Sequence, residues 1–245
     1  MKITVATLIY ANPKYLEFVF NSLLGVWNRV AEDKKVEYLV VANDPWDCVV
    51  DYLNSDAWNN AIAARANIRV VVHRNENPND WWIQNVYNAW NRALNECKTE
   101  RICFVNSDMA FTHSWLDNLN KYPLDLVIPT SRLVESERMP SLPGLIGKNF
   151  GQTIKSFRKD DFEEFAAGIS EESYSIGVGA YMPSLFQTDI LKSVGGWTKN
   201  TNGIPGDRIT FYKLWEKFGL KHIMVNDSIV YHLQRGESAE SDDLK

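Results

Sequence analysis

The sequence has 245 residues, 45% hydrophobic and 12% aromatic, enough for one large α/β domain or two small ones around a sizeable core. A formal net charge of −5 argues against a general nucleic-acid binder, which carries a basic excess. No apolar run approaches a membrane span, and Cys48, Cys97 and Cys103 form no CxxC pair and read as free thiols of a reducing compartment.

Met1 leads directly into an apolar strand over residues 2–10, so the chain is expected to be soluble and cytoplasmic, with no signal peptide. Asn12 then reads as a helix N-cap with Pro13 at the first helical position. Leu16, Val19, Phe20, Leu23, Leu24 and Trp27 follow at helical spacing. A second strand over residues 36–42 ends at Asn43-Asp44-Pro45. Residues 47–65 read as one broken helix or two short ones, with Val49, Val50, Tyr52 and Leu53 inward. A third strand covers residues 68–72 and gives way to a polar loop, residues 74–80. Trp82, Val86, Ala89, Trp90, Ala93 and Cys97 then repeat at the helical period.

A fourth strand, residues 101–105, breaks at Asn106-Ser107-Asp108 before a helix starting near Ser114. The alternation of strands and helices implies parallel strands with right-handed crossovers. In such sheets ligands sit in the crevice at the carboxyl ends of the strands, where Asp108 is expected. The same triplet can also serve as a plain turn and cap.

The second half is less regular. Residues 124–129 read as a strand. Residues 131–173 read as a long loop rich in Pro and Gly, with Arg132, Arg138, Lys148, Lys155, Arg158 and Lys159 interspersed. Residues 176–186 read as one strand, and residues 190–194 as a short helix closed by Gly195-Gly196. Asp207 opens a helix that Gly219 stops. Strands are expected over residues 222–225 and 229–232, and residues 234–245 read as a disordered acidic tail.

Polar signals thus sit at the ends of apolar elements: Asp44, Asp108 and His232, with Asp207 following the stretch Asn202-Gly203-Ile204-Pro205-Gly206. Their order, with Thr7 to Asn12 at the start, Gly195-Gly196-Trp197 and Tyr231-His232, resembles the family 2 type of glycosyltransferase. The resemblance runs from Thr4 to His232. It implies the GT-A fold, a mixed, mostly parallel sheet flanked by helices in one domain over residues 1–233. Residues 1–110 would be the nucleotide-sugar half and residues 111–233 the acceptor-binding and catalytic half. Two positions depart from the family's pattern. Asn106 stands where its DxD triplet begins with an acid, and Gly206 stands where glutamate is common before the carboxylate.

The resemblance also implies roles. Thr7 and Tyr10 would line the base pocket, Asp44 would accept from the base, Arg74 would lie near the nucleotide, Asn106 near the ribose, and Ser107 among the nucleotide-binding residues. Asp108 and His232 would hold Mn²⁺ or Mg²⁺ on the donor diphosphate. Asp207 would be the base that deprotonates the acceptor hydroxyl, giving an inverting hexosyltransferase that uses a UDP-sugar or a GDP-sugar. Each residue has a plainer reading: a turn for Asp44, an N-cap for Asp207, a satisfied core histidine for His232. Of the tryptophans, Trp81 and Trp82 read as one core and one surface ring, and Trp197 as the acceptor contact. Competing readings are a non-catalytic nucleotide-sugar or carbohydrate binder of the same fold and a sugar-phosphate nucleotidyltransferase. The latter usually has a glycine-rich first loop, which Tyr10-Ala11-Asn12-Pro13-Lys14 lacks.

Overall fold

The structure is a computed structural model that describes residues 2–27, 36–77, 80–136, 143–169, 172–201, 203–234 and 236–237. The first half contains β1 (Ile3–Ile9), α1 (Lys14–Trp27), β2 (Val36–Asn43), α2 (Asp47–Leu53), α3 (Asp56–Ala61), β3 (Ile68–His73), α4 (Trp82–Glu96) and β4 (Arg101–Val105). The second half contains β5 (Met109–Phe111), α5 (Trp115–Asn120), β6 (Val127–Glu135), β7 (Ile146–Gly147), α6 (Lys159–Ala167), β8 (Tyr174–Ile176), β9 (Ser184–Gln187), α7 (Thr188–Ser193), α8 (Gly206–Phe218) and β10 (Lys221–His232).

One ten-stranded sheet runs through both halves in the order β3-β2-β1-β4-β9-β6-β10-β5, with β7 beside β6 and β8 beside β10. The strands β3, β2, β1 and β4 are mutually parallel. Beyond them β9 runs antiparallel to β4 and to β6, and β10 returns parallel to β6. The inner parallel strands β2, β1 and β4 are covered on both faces, and their near-continuous apolar runs follow from that, whereas the edge strand β3 is partly exposed. Period-two alternation sends Ile3, Val5 and Ile9 of β1 and Cys103 and Val105 of β4 into one core with Leu16, Val19, Phe20 and Leu23 of α1. Ala6, Leu39, Ile102 and Phe104 face the other core, with Trp90 and Ala93 of α4 and Phe211 and Leu214 of α8.

Local signals place the first half well. The Asn12 side chain accepts from Lys14 N at 3.1 Å, and its carbonyl from Tyr15 N at 3.1 Å, which starts α1. Asp47 to Arg65 forms two short helices and a 3₁₀ turn. Gly219, at φ 72°, ends α8.

The second half corrects several expectations. The strand read over residues 124–129 is β6, which starts later and continues to Glu135. The expected loop of residues 131–173 contains the end of β6, β7, a 3₁₀ turn and α6. Phe162 and Ala166 of α6 are buried, with Phe165 partly buried, at helical spacing. Arg138 lies outside the described residues. Residues 176–186 are not one strand: β8 pairs with β10 and β9 with β4, and Gly177 and Gly179 at positive φ turn the chain between them. Trp81 and Trp82 are both exposed, at 61% and 65%, so neither is a core ring.

The strand β10 is interrupted. Val225 pairs with Ser131 and Ile229 with Arg132, so residues 226–228 bulge out while β6 advances by one residue. The bulge is pinned: the Ser228 hydroxyl bonds that of Ser131 at 2.8 Å and donates to Trp115 O at 2.7 Å. Among the described residues, no helix is long and apolar enough to cross a membrane.

Candidate functional site

The site is assembled by strand register. Antiparallel pairing of β10 with β5 sets His232 opposite Met109, and parallel pairing with β6 sets His232 opposite Glu135. Asp108 immediately precedes β5, and its carbonyl accepts from Leu233 N at 3.0 Å. The side chains meet as a result. His232 Nε2 lies 3.2 Å from Asp108 Oδ2, and Nδ1 lies 2.7 Å from Glu135 Oε1. Burial alone would lower the His232 pKa, but the two carboxylates outweigh it and push it up to about 10. Gln234 donates from Nε2 to Glu135 Oε2 at 3.1 Å and accepts from the Ser136 hydroxyl, so both Glu135 oxygens are engaged.

This set can be tested against a divalent cation. Two adjacent ligands of a small octahedral cation, with bonds of about 2.1 Å, lie about 3 Å apart, close to the 3.2 Å between Asp108 and His232. A carboxylate on the far ring nitrogen is the usual support of a metal-bound histidine, and Glu135 has that place. Among the described residues no group of three or more such side chains forms a metal cluster. Asp108 and His232 are thus the two candidate ligands, with any further ligands left to a bound diphosphate. On this chemistry the residues fit the cation.

A second cluster closes the end of β2. Asp44 sits at φ 45°, a left-handed conformation uncommon outside glycine. Its carboxylate accepts from Asn75 N at 3.2 Å and from Asn75 Nδ2 at 2.6 Å. Asn75 also donates to Asn43 Oδ1 at 2.8 Å and accepts from Asn88 Nδ2 at 3.2 Å, which ties the cluster to α4. Asn75 was not singled out in the sequence, though it stands in the polar loop that follows β3. Arg74, beside it, is exposed. Thr7 is 2% exposed, and its hydroxyl has no partner among the described residues.

Between these clusters lies a cradle of donors. The backbone N–H groups of Tyr10, Ala11 and Asn12 all point at Glu237 Oε2, at 3.0, 2.8 and 3.2 Å. Ser107 Oγ donates to Glu237 Oε1 at 2.8 Å. Burial pushes Glu237 up to about 7, against the pull of these donors. The expected disordered tail is thus corrected for its first residues: Gln234, Gly236 and Glu237 are placed and bonded. Residues 235 and 238–245 lie outside the described residues. Asn106, the partly exposed residue between β4 and Ser107, stands beside the cradle.

Asp207 lies in the first turn of α8, and its Oδ1 accepts from Arg208 N at 2.6 Å. Pro205, not Asp207, is the cap residue. The Asp207 N–H donates to Tyr87 Oη at 3.2 Å, so this carboxylate sits against α4, the helix that also carries Asn88. Burial raises the Asp207 pKa, with the Arg208 N–H and Tyr87 acting against it. Tyr87 is pushed up to about 12 by burial and by the charge on Asp207. Gly206 is demanded by packing: a Cβ there would lie 1.9 Å from Thr198 O and 2.7 Å from the Tyr87 ring. No larger residue, glutamate included, fits there without moving backbone.

Trp197 is corrected. It is 2% exposed, stacked on Tyr87 with ring centroids 6.2 Å apart and edge-on to Phe104 and Phe186. The ring is core and shows no face to an acceptor. Its backbone is held by Asn91, which accepts from Trp197 N and donates to Trp197 O.

No family model and no curated protein matches the sequence. Solved structures do match. The S. aureus protein TarS, residues 1–349, superposes with a TM-score of 0.60 at 14% identity, over 95% of this chain and 60% of that one. TarS 1–349 in complex with UDP-GlcNAc gives a TM-score of 0.57 at 13% identity, over 97% of this chain and 62% of that one. The mannosyltransferase PcManGT from Pyrobaculum calidifontis, in complex with GDP-Man and Mn²⁺, gives 0.61 at 15% identity, over 96% of this chain and 58% of that one. The chain spans about three fifths of the length of these structures. A mixed, mostly parallel sheet flanked by helices, matched over nearly the whole chain, gives this protein the GT-A fold of glycosyltransferases.

Proposed function

We propose that the chain transfers a sugar from a nucleoside-diphosphate donor, a UDP-sugar by preference, to a hydroxyl acceptor with inversion at the anomeric carbon. The observation that carries this reading is the meeting of Asp108 and His232 at strand ends of a GT-A sheet. The solved structures of this fold named with UDP-GlcNAc and with GDP-Man and Mn²⁺ support a nucleotide-sugar donor. Asp108 and His232 would hold the divalent cation, and imidazole favours Mn²⁺ over Mg²⁺. When bound, the cation offsets charge on the leaving diphosphate.

The remaining work falls to the chain's own groups. Asp44, held by Asn75, offers carboxylate oxygens to a base N–H and suits uracil N3–H, with Thr7 and Tyr10 completing the pocket. Arg74 supplies positive charge near the nucleotide, and Asn106 and Ser107 supply polar groups for the ribose. Asp207 accepts the acceptor's proton. An alcohol is a poor nucleophile at neutral pH, and a carboxylate raised by burial is a better base than an exposed one. The transfer unit is taken as one domain over residues 1–233, and free Cys97 and Cys103 suit a cytoplasmic setting.

Thermal denaturation with UDP or GDP, with and without Mn²⁺, tests the reading. A ligand at a hundredfold excess over its Kd stabilises the folded state by about 2.7 kcal/mol. UDP with Mn²⁺ should raise Tm by several degrees, with a smaller rise for UDP alone, and Asp108→Ala should lose the Mn²⁺-dependent part. Absence of any shift with every nucleoside diphosphate would sink the donor assignment.

A further inference from the structure

The segment after β10 crosses the candidate site instead of leaving it. Gln234 holds Glu135, the Gly236 carbonyl accepts from Tyr15 Oη at 3.0 Å, and Glu237 enters the cradle of Tyr10, Ala11, Asn12 and Ser107. A Cβ built on Gly236 would lie 4.0 Å from Asp108 Oδ2, so the strap passes directly over the strand-end carboxylate. Two residues of the strap, Gln234 and Gly236, take positive φ, at 69° and 63°. For Gln234 that conformation is strained and persists only where the surroundings impose it.

Three consecutive amides aimed at one oxygen form a concavity suited to an anionic oxygen. Here the oxygen belongs to the chain's own carboxylate, 4% exposed. The cradle lies between Tyr10, assigned to the base pocket, and Ser107-Asp108, assigned to the ribose and the cation. A donor nucleotide reaching from one to the other must cross the space Glu237 fills.

Resting on the donor assignment above, we infer that Glu237 is a tethered competitor of the donor nucleotide. Its carboxylate occupies a subsite for a nucleotide oxygen, and the strap carrying Gln234, Gly236 and Glu237 must withdraw before the donor seats. A closed strap reduces apparent affinity to the fraction of molecules in which it is open, and removing the competitor restores the rest.

The test is calorimetric titration of the 245-residue chain with UDP in the presence of Mn²⁺, comparing the wild type with Glu237→Ala and Glu237→Gln. Glu237→Ala should bind UDP about tenfold more tightly or better, an effect that corresponds to a strap closed in nine molecules of ten or more. Glu237→Gln keeps the shape and loses the charge, so it should fall between. It also carries the comparison if the alanine variant fails to fold by circular dichroism. A parallel titration with uridine locates the overlap. Tightening for UDP but not uridine assigns the cradle to a phosphate oxygen, and equal tightening assigns it to the nucleoside half. Equal or weaker UDP binding by both variants overturns the competitor assignment alone. No UDP binding by any of the three proteins overturns the donor reading and the strap with it.

Discussion

The two sides of the candidate site differ in how completely their polar groups are already engaged. On the donor side, Asp44 is held by Asn75, His232 lies between Asp108 and Glu135, and the cradle holds Glu237. On the proposed acceptor side, the Asp207 carboxylate is met by the N–H of its own neighbour Arg208 and by the Tyr87 side chain, with the Tyr181 ring near it. Under the proposed assignment, a donor cation and nucleotide must displace partners already in place, whereas an acceptor meets a carboxylate raised by burial. Affinity should therefore respond to substitutions on the donor side, and rate to substitutions on the acceptor side.

The sharpest way to break this contrast is at Asp207. Asp207→Asn keeps the shape of the side chain and should lower transfer by about two to four orders of magnitude, the usual contribution of a general base. UDP affinity should stay unchanged, measured by the same titration. Loss of UDP binding in that variant would move Asp207 to the donor side.

A smaller effect is expected behind the cation ligands. Glu135 touches His232 Nδ1 and none of the proposed substrate groups, so it acts as a positioning residue. Glu135→Gln should weaken Mn²⁺-dependent UDP binding by about 10- to 100-fold, the usual range for such supports, while UDP binding without metal holds. An equal loss with and without Mn²⁺ would mean that the variant has disturbed the fold instead.

The smallest effect concerns stability beside the acceptor side. His222 bonds the Thr130 hydroxyl at 3.0 Å and packs against Tyr181 and Phe211, and burial lowers its pKa to about 4. The unfolded chain takes up this proton near pH 6.5 and the folded chain near pH 4, so stability falls as pH drops through that window. One unit below the ordinary value, at pH 5.5, the loss from this residue is about 1 kcal/mol. Denaturant melts of the wild type and His222→Gln at pH 7.5 and 5.5 should show the smaller drop in the variant. Equal drops would remove His222 as the source.

The same division explains what the sequence could reveal. The strands β1 to β4 and the helices between them are specified by short-range periodicity and caps, and Asp44 and Asp108 are legible because each ends such a run. Glu135 and Glu237 are not, because their roles depend on partners 97 residues away at His232 and 130 residues away at Ser107. No local pattern encodes that pairing. The α6 spacing of Phe162, Phe165 and Ala166 was present, but it sat among Lys159, Asp160, Asp161, Glu163 and Glu164, which read as a solvated loop. Trp197 follows two glycines, a pattern that in sequence resembles a loop tip. The Asn91 side chain instead folds that turn back onto α4 and carries the ring into the core.

The bulge in β10 sets the phase of everything downstream of it. Three residues loop out between Val225 and Ile229, so the strand resumes three β6 positions short of where an uninterrupted pairing would put it. Residues 229–232 depend on that offset for the partners they meet, whereas residues 221–225 do not. Deleting one residue of the bulge would leave the sequence of β10 almost intact yet force either the bulge to tighten or His232 to lose its register with Glu135 and Met109. Chemistry in this protein is thus written partly as a reading frame in space: the spacing of residues 226–228, none of which touches the site, decides whether the histidine belongs to it.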